Sequence, residues 1–248
     1  VNNNTSSETS TISNNTDAVS ESASVNKQSK ADQQLDSVRS TLSGSSYGKN
    51  SVFQLNVPVY QQTYNQSCEA SALRMALAYR GVTTTDEAIL TQIGYDGEPA
   101  KMVDGQRVWT NPHKQFVGYR DGDQTQFTGY GVFAEPIASA AEQNGRTAVV
   151  QNDVQLDWIV QQLYSGNPVI LWGVSIKISD GQWQTTSGES ITVPMRTHTR
   201  LVIGVKGDFN NPDGFYVNDP ATGRMVYWTA ENLKADIAKG IKQAVAIY

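Results

Sequence analysis

The sequence predicts an α+β domain, in which helices pack on a C-terminal antiparallel sheet, preceded by a long polar segment. Helix-period apolar patterns dominate as far as about residue 164, and two-residue alternation dominates beyond Gly181. Asp, Asn, Gly and Pro separate the later strands, as in antiparallel hairpins. The chain has 248 residues, 38% of them hydrophobic, which is enough to bury one large core.

Residues 1–50 differ in composition from everything that follows. They contain 13 Ser, 5 Thr and 7 Asn, so they cannot bury enough apolar area to offset the entropy lost on ordering. We therefore expect a disordered Ser/Thr/Asn-rich arm over 1–50 and one domain over 51–248. A transient or docked helix stays open as an alternative where four apolar residues are spaced by 4, 3 and 4 (Ala31, Leu35, Val38 and Leu42).

Capping residues and glycines set the expected helix limits. The first helix is expected over 67–80 and the second from Thr85, whose hydroxyl can cap it. Pro136 starts the third helix, Asp153 caps the fourth, and Thr229 caps a short last one. Strands are expected where apolar residues alternate or run together between turns: 147–151, 168–174, 199–206, 214–218, 225–228 and 244–248.

Charge and cysteine content exclude several classes of function. The net charge of −5 and the pI near 5.0 argue against a nucleic-acid partner, because no basic surface is available for phosphates. No apolar run approaches the roughly 20 residues of a transmembrane helix. A single cysteine excludes disulfides, CxxC pairs and Cys-based zinc sites. The start at Val1 fits either a removed signal peptide or a trimmed chain.

Two other motifs are assigned to turns. Residues 129–134 fit G-x-G-x-x-A, but the segment before them is a poor strand, so we expect a glycine turn that enters a helix. Residues 208–214 are acidic, but they lack the register of a calcium loop and are expected to connect two strands of a hairpin. No cofactor and no metal is expected.

Cys68 is the first candidate for chemistry because it lies where a helix is expected to begin. Free N–H groups and the helix dipole stabilise a thiolate at that position, which favours a nucleophile at neutral pH. The alternative is a small buried hydrophobic residue, which is the common fate of a free cysteine.

The chain offers two histidines as a base for Cys68. His113 lies in a polar loop, whereas His198 begins a strand about 130 residues after the cysteine, a separation similar to that of papain-type proteases. Asp219 ends the next strand, beside His198 if the two strands form a hairpin. The alternative for Asp219 is an ordinary Asp-Pro turn.

Taken in order, the motifs resemble the family-39-like cysteine peptidases, relatives of the bacteriocin-leader-processing peptidases in the papain clan. The resemblance covers about residues 52–248. It rests on Leu55-Asn56-Val57-Pro58, Gln62 six residues before Cys68-Glu69-Ala70, Phe116-Val117-Gly118, Gly129-Tyr130-Gly131-Val132-Phe133, His198 before Leu201-Val202-Ile203-Gly204, and Asn218-Asp219-Pro220.

The resemblance implies a papain-like fold and a role for each site residue. Cys68 would be the nucleophile, His198 the general base and acid, and Asp219 the carboxylate that orients His198. Gln62 would donate to the oxyanion, with Gln61 as the alternative one residue earlier. Many relatives have Cys-Gly-Pro at the nucleophile, whereas Cys-Glu-Ala here is similar to the exported branch of the family.

We therefore expect a secreted or cell-surface bacterial thiol hydrolase that cleaves peptide or amide bonds and acts on a peptide or cell-wall peptide. Two other functions stay open. The first is a papain-fold binding or adhesion module with little turnover, since a fold does not fix function. The second is acyl transfer to an amine instead of water.

Overall fold

The computed structural model describes residues 51–174, 176 and 178–248, so the expected arm over 1–50 lies outside the described residues. The described residues form helices and predominantly antiparallel sheets, which confirms the α+β class. The helices are α1 (Cys68–Tyr79), α2 (Asp86–Ile93), α3 (Ala134–Gln143), α4 (Leu156–Tyr164) and α5 (Ala230–Lys239). The strands are β1 (Val52–Gln54), β2 (Lys101–Val103), β3 (Gln106–Val108), β4 (Val117–Gly118), β5 (Gly129–Gly131), β6 (Ala148–Gln151), β7 (Val169–Gly173), β8 (Asp180–Gln184), β9 (Ser190–Pro194), β10 (His198–Gly207), β11 (Pro212–Asp219), β12 (Arg224–Thr229) and β13 (Ala244–Ile247).

The main sheet has the strand order β12-β11-β10-β7-β13-β6, and each of these pairs is antiparallel. β10 pairs with β11 along one edge, while β7 and then β1 share its other edge. Helices α1 and α4 also contact β10, and most of this strand is buried. The core therefore fixes the path of β10 and β11, while the first residue of β10 and the last residue of β11 remain partly exposed.

Helix α1 lies at the centre of the domain, against β10, β7, α2 and α3. Its residues 70–73 and 75–77 are all buried, and three of them are alanines, which allow close approach of the neighbouring elements. A helix with little polar surface must be buried on most sides. The position of its first residue, Cys68, is consequently fixed by the core.

A second, smaller cluster lies under the four-stranded sheet β2-β3-β8-β9. Trp183 is its centre, with ring centroids 5.4 Å from both Trp109 and Tyr130. Tyr130 belongs to β5, which pairs with β4 beside the start of α1. The small sheet therefore packs on the glycine-rich strand that borders Glu69, the residue after Cys68.

The structure corrects some element limits. Pro136 is the third residue of α3 and does not start it. Asp153 has φ of +49° and does not cap α4, which begins after Gln155. Strands β2, β3, β8 and β9 were not among the predicted strands, because each has only three to five residues, too few for a clear two-residue alternation.

Candidate active site

Cys68 is presented by a turn that is fastened to α2. The turn closes through Ser67, whose hydroxyl accepts a hydrogen bond from the Tyr64 N–H at 3.0 Å. The carboxylate of Asp86, fully buried, accepts hydrogen bonds from the Thr63 N–H at 2.8 Å and from the Ser67 hydroxyl at 3.3 Å. Cys68 then opens α1 as its first residue, as the sequence predicts.

His198 and Asp219 meet at one end of the β10–β11 hairpin. Leu201 pairs with Asn218, so the first residues of β10 lie beside the last residue of β11. Nε2 of His198 and Oδ1 of Asp219 are 2.7 Å apart. Burial acts to raise the pKa of Asp219, but the hydrogen bond and charge of His198, together with the Arg200 charge, lower it to about 2. Asp219 is thus an anion at neutral pH.

Arg200 holds the other side of Asp219. Its Nε lies 3.5 Å from Oδ2 of Asp219, and its Nη1 lies 3.2 Å from Oδ2 of Asp236 on α5. The guanidinium also stacks over the Trp228 ring, 4.6 Å from the centroid. Arg200 therefore links Asp219 to helix α5, a role that no local sequence pattern indicates.

A buried glutamine fixes the backbone just before His198. The side-chain oxygen of Gln124 accepts a hydrogen bond from the Thr197 N–H at 3.0 Å, and its nitrogen donates to the Thr197 carbonyl at 3.0 Å. Gln124 is 7% exposed. The Gln124 amide thus satisfies both backbone groups of Thr197, as a neighbouring strand would, at the residue that precedes β10.

The thiol of Cys68 is buried and has two hydrogen-bond partners within the described structure. It donates to Oε2 of Glu69 at 3.3 Å and accepts from the N–H of Thr199 at 3.4 Å. Thr199 directly follows His198, so the thiol lies beside the start of β10, but no hydrogen bond joins Sγ to the imidazole among the residues described.

The electrostatics of the thiol differ from the expectation. Burial, and next the Glu69 carboxylate, raise the pKa of Cys68 well above its usual range, while the Thr199 N–H acts in the opposite direction. The expected thiolate at a helix N-terminus is therefore wrong for this arrangement, because burial and the Glu69 carboxylate both disfavour a negative charge on the sulfur.

Gln62 lies in the segment before the nucleophile, but its amide is engaged locally. Its Nε2 donates to the carbonyls of Tyr64 and Asn65, both at 2.8 Å, and its Oε1 is buried without a hydrogen-bond partner in the described structure. The Gln62 N–H donates to the carbonyl of Pro220 at 2.8 Å, directly after Asp219. Gln61 is exposed and donates to the Ala221 carbonyl at 3.3 Å.

The remaining histidine lies outside this cluster. His113 is half-exposed, and its Nδ1 lies 3.1 Å from Oε2 of Glu135. Within the described residues, no group of three or more His, Cys, Asp or Glu side chains could hold a metal ion. The same part of the chain contains no helix long and apolar enough to cross a membrane.

Comparison with known protein families identifies one family whose model matches most of this chain. The model of the family described as Peptidase_C39 like family matches residues 54–242. The comparison with curated proteins gave no match. Among solved structures, a Bacillus anthracis protein described as a C39-like peptidase aligns with a TM-score of 0.65 at 23% identity, covering 80% of this chain and 98% of that one.

Two further structures are similar at a lower level. The first is a double glycine motif protease from an AMS/PCAT transporter, in complex with the leader peptide (TM-score 0.45, 18% identity, 79% of this chain and 93% of that one). The second is the peptidase domain of Streptococcus ComA (TM-score 0.45, 13% identity, 77% and 98%). The Bacillus anthracis structure, with the higher TM-score, supports the papain-like fold.

Proposed function

The chain belongs to the Peptidase_C39 like family, which supports a cysteine peptidase function, and we propose that Cys68, His198 and Asp219 form its catalytic triad. The observation that carries this proposal is the 2.7 Å contact between His198 and Asp219 at the strand end where the Thr199 N–H binds the Cys68 sulfur. These contacts support a nucleophile, a base and an orienting carboxylate that come from three separate segments, which is the set of groups that thiol catalysis needs.

The mechanism follows from which imidazole nitrogen is occupied. Since Asp219 binds Nε2, the nitrogen available to the thiol is Nδ1. Nδ1 would take the Cys68 proton, and the thiolate would attack the carbonyl carbon of the substrate. The imidazolium would then protonate the leaving amine, and water would hydrolyse the thioester and restore the thiol. Asp219 stabilises the imidazolium in both steps.

The oxyanion of the tetrahedral intermediate needs donors. We assign the backbone N–H of Cys68, which lies in the first helical turn and has no intrahelical acceptor, and the amide of Gln62. Because Nε2 of Gln62 donates to two loop carbonyls in this structure, it would have to exchange one of them for the oxyanion.

The substrate class proposed is a peptide or cell-wall peptide, with extracellular or cell-surface action. The family supports the peptide bond, and the Ser/Thr/Asn-rich composition of residues 1–50 supports the location, because such segments are common spacers on exported proteins. Fractionation of cells that produce the full chain tests the location. Recovery of the protein only in the cytosol would contradict it.

A papain-fold binding module is the second candidate, and one observation favours it. The raised pKa of the Cys68 thiol and its hydrogen bond to Glu69 describe a sulfur that is neutral at rest. In a binding module, the thiol would remain unreactive and substrate peptides would bind without turnover. Acyl transfer, the third function, differs from hydrolysis in its product when an amine is added.

One experiment separates these functions. The full chain is incubated with a peptide library, with and without an added amine, and products are identified by mass spectrometry. Labelling by iodoacetamide is followed in parallel, since Cys68 is the only cysteine. Cleavage that Cys68→Ala and His198→Ala abolish, but His113→Ala preserves, supports the peptidase. Binding without cleavage and slow labelling that His198→Ala does not change would overturn it.

A further inference from the structure

Glu69 is a buried carboxyl group that the proposed mechanism does not use. It is the second residue of α1 and is 4% exposed. One oxygen, Oε2, accepts the Cys68 thiol at 3.3 Å, and the other, Oε1, accepts the N–H of Val132 at 3.2 Å. The side chain therefore connects the nucleophile to the chain directly after β5.

Space for this carboxyl is made by a glycine. Gly131 has φ of +117°, and a Cβ at that position would lie 2.4 Å from Oε1 of Glu69. Any other residue would meet both a strained backbone and the carboxyl oxygen. The glycine-rich strand, which the sequence analysis assigned to a turn, thus forms one wall of the Glu69 pocket.

The groups that face Glu69 leave its charge without a positive partner among the described residues. On its own helix it contacts Cys68, and on β5 the titratable group that its charge affects is Tyr130, a buried phenol. Burial raises the pKa of Tyr130, and the Glu69 charge adds to the effect. On β10, the N–H of Thr199 reaches the shared sulfur, and His198 precedes it.

Burial raises the pKa of Glu69 to about 7, while the hydrogen bonds from Val132 and Cys68 act in the opposite direction. A buried carboxylate without a cation is costly, which explains the direction of this change. Near neutral pH, Glu69 therefore exists in both protonation states. Only its ionised form opposes a negative charge on the adjacent sulfur.

We propose that Glu69 is a positioning residue that holds Cys68 as a neutral thiol, and that its protonation frees the thiol to form the reactive pair with His198. The proposal rests on Cys68 and His198 acting as nucleophile and base. At rest the thiol donates its proton to a carboxylate. When Glu69 takes a proton from solvent, the thiol proton can pass to His198, and the neutral carboxyl can donate its O–H to the thiolate.

The test measures Cys68 reactivity independently of any substrate. Iodoacetamide alkylation of the full chain is followed from pH 5 to pH 9 for the wild type and for Glu69→Gln, which removes the charge and keeps the shape. We expect Glu69→Gln to move the midpoint of the rate profile down by about one pH unit or more, which is about tenfold faster alkylation at pH 7. Glu231→Gln, an exposed carboxylate at the start of α5, should leave the profile unchanged.

A second variant, Glu69→Asp, separates the effect of charge from a folding defect in Glu69→Gln. Glu69→Asp keeps the charge but withdraws the carboxylate from the sulfur, so its midpoint should lie between the other two. Superposable profiles, or slower alkylation in Glu69→Gln at every pH, would overturn the proposal. If His198→Ala has no effect on alkylation in either background, the proposed triad is wrong. A difference between the wild type and Glu69→Gln would then still show that Glu69 controls the reactivity of the thiol.

Discussion

The carboxylate of Asp219 binds Nε2 of His198 at 2.7 Å, which leaves Nδ1 as the ring nitrogen that the proposed mechanism assigns to Cys68. The contact also makes Asp219 an anion over almost the whole pH range, since its pKa is about 2. An anionic partner on one ring nitrogen stabilises the imidazolium form and fixes the ring orientation.

Replacing Asp219 by Asn should lower the rate of peptide cleavage and leave the fold intact. The amide can still touch the imidazole, but it does not stabilise the positive charge, so we expect a loss of about tenfold or more in kcat. His198→Ala should lose more. Asp213→Asn, on the exposed start of β11, serves as control and should match the wild type in kcat/KM.

Replacing Arg200 should affect both stability and the site. Arg200 lies between the carboxylates of Asp219 and Asp236 and is only 8% exposed, so Arg200→Met leaves negative charges in the interior. We expect a loss of about 3 kcal/mol or more in the free energy of unfolding, measured with urea. Arg200→Lys should lose less, and the exposed Arg224→Met should lose little. Equal stability of Arg200→Met and wild type would contradict this role.

Gly131→Ala should destabilise the protein more than Gly145→Ala. Both glycines have positive φ, but a Cβ at Gly145 meets nothing within 4 Å, whereas one at Gly131 would overlap Oε1 of Glu69. The backbone term alone costs about 1–2 kcal/mol, and we expect Gly131→Ala to exceed it by at least about 1 kcal/mol. Denaturant unfolding of the two variants provides the measurement. Equal losses would mean that the carboxyl moves aside at no cost.

Glu69 should make stability depend on pH. Its pKa is about 7 in the folded state and about 4.5 when exposed, so the folded state keeps a proton that the unfolded state releases in between. This contribution is complete below pH 4.5 and is lost as pH rises through 7, by on the order of 3 kcal/mol. Glu69→Gln should therefore become more stable relative to the wild type between pH 5 and pH 8, as followed by thermal unfolding. A difference in stability between Glu69→Gln and the wild type that stays constant from pH 5 to pH 8 would contradict this prediction.

Limited proteolysis tests the expected arm. Residues 1–50 contain few apolar side chains to bury, so a protease should remove them and leave a core beginning near residues 49–53. Mass spectrometry of the remaining core gives its first residue. Protection of only the stretch from Ala31 to Leu42 would support the docked-helix alternative. Protection of most of the arm would contradict the expectation.

Local sequence determined the elements whose physical cause is local. Thr85 caps α2 and Thr229 caps α5 through their hydroxyls, as a short-range capping pattern predicts. The apolar run over 168–174 became the buried strand β7, and the acidic segment predicted as a hairpin loop over 208–214 joins β10 to β11 through residues 208–211, because β11 already begins at Pro212. The hairpin prediction also placed Asp219 beside His198, because antiparallel pairing brings one strand start to the next strand end.

Tertiary structure alone decided the charge state and the partners of the nucleophile. From the sequence, Cys68 at a helix start predicts a thiolate, since the dipole of the helix is a property of that helix. The structure buries the thiol against Glu69, and both effects raise the pKa of Cys68. The position of Glu69 in turn depends on a distant segment, because its carboxyl accepts a hydrogen bond from the N–H of Val132. The roles of Arg200 and Gln124 could not be predicted from the sequence for the same reason. Their partners are set by packing between elements and not by the spacing of residues within one element.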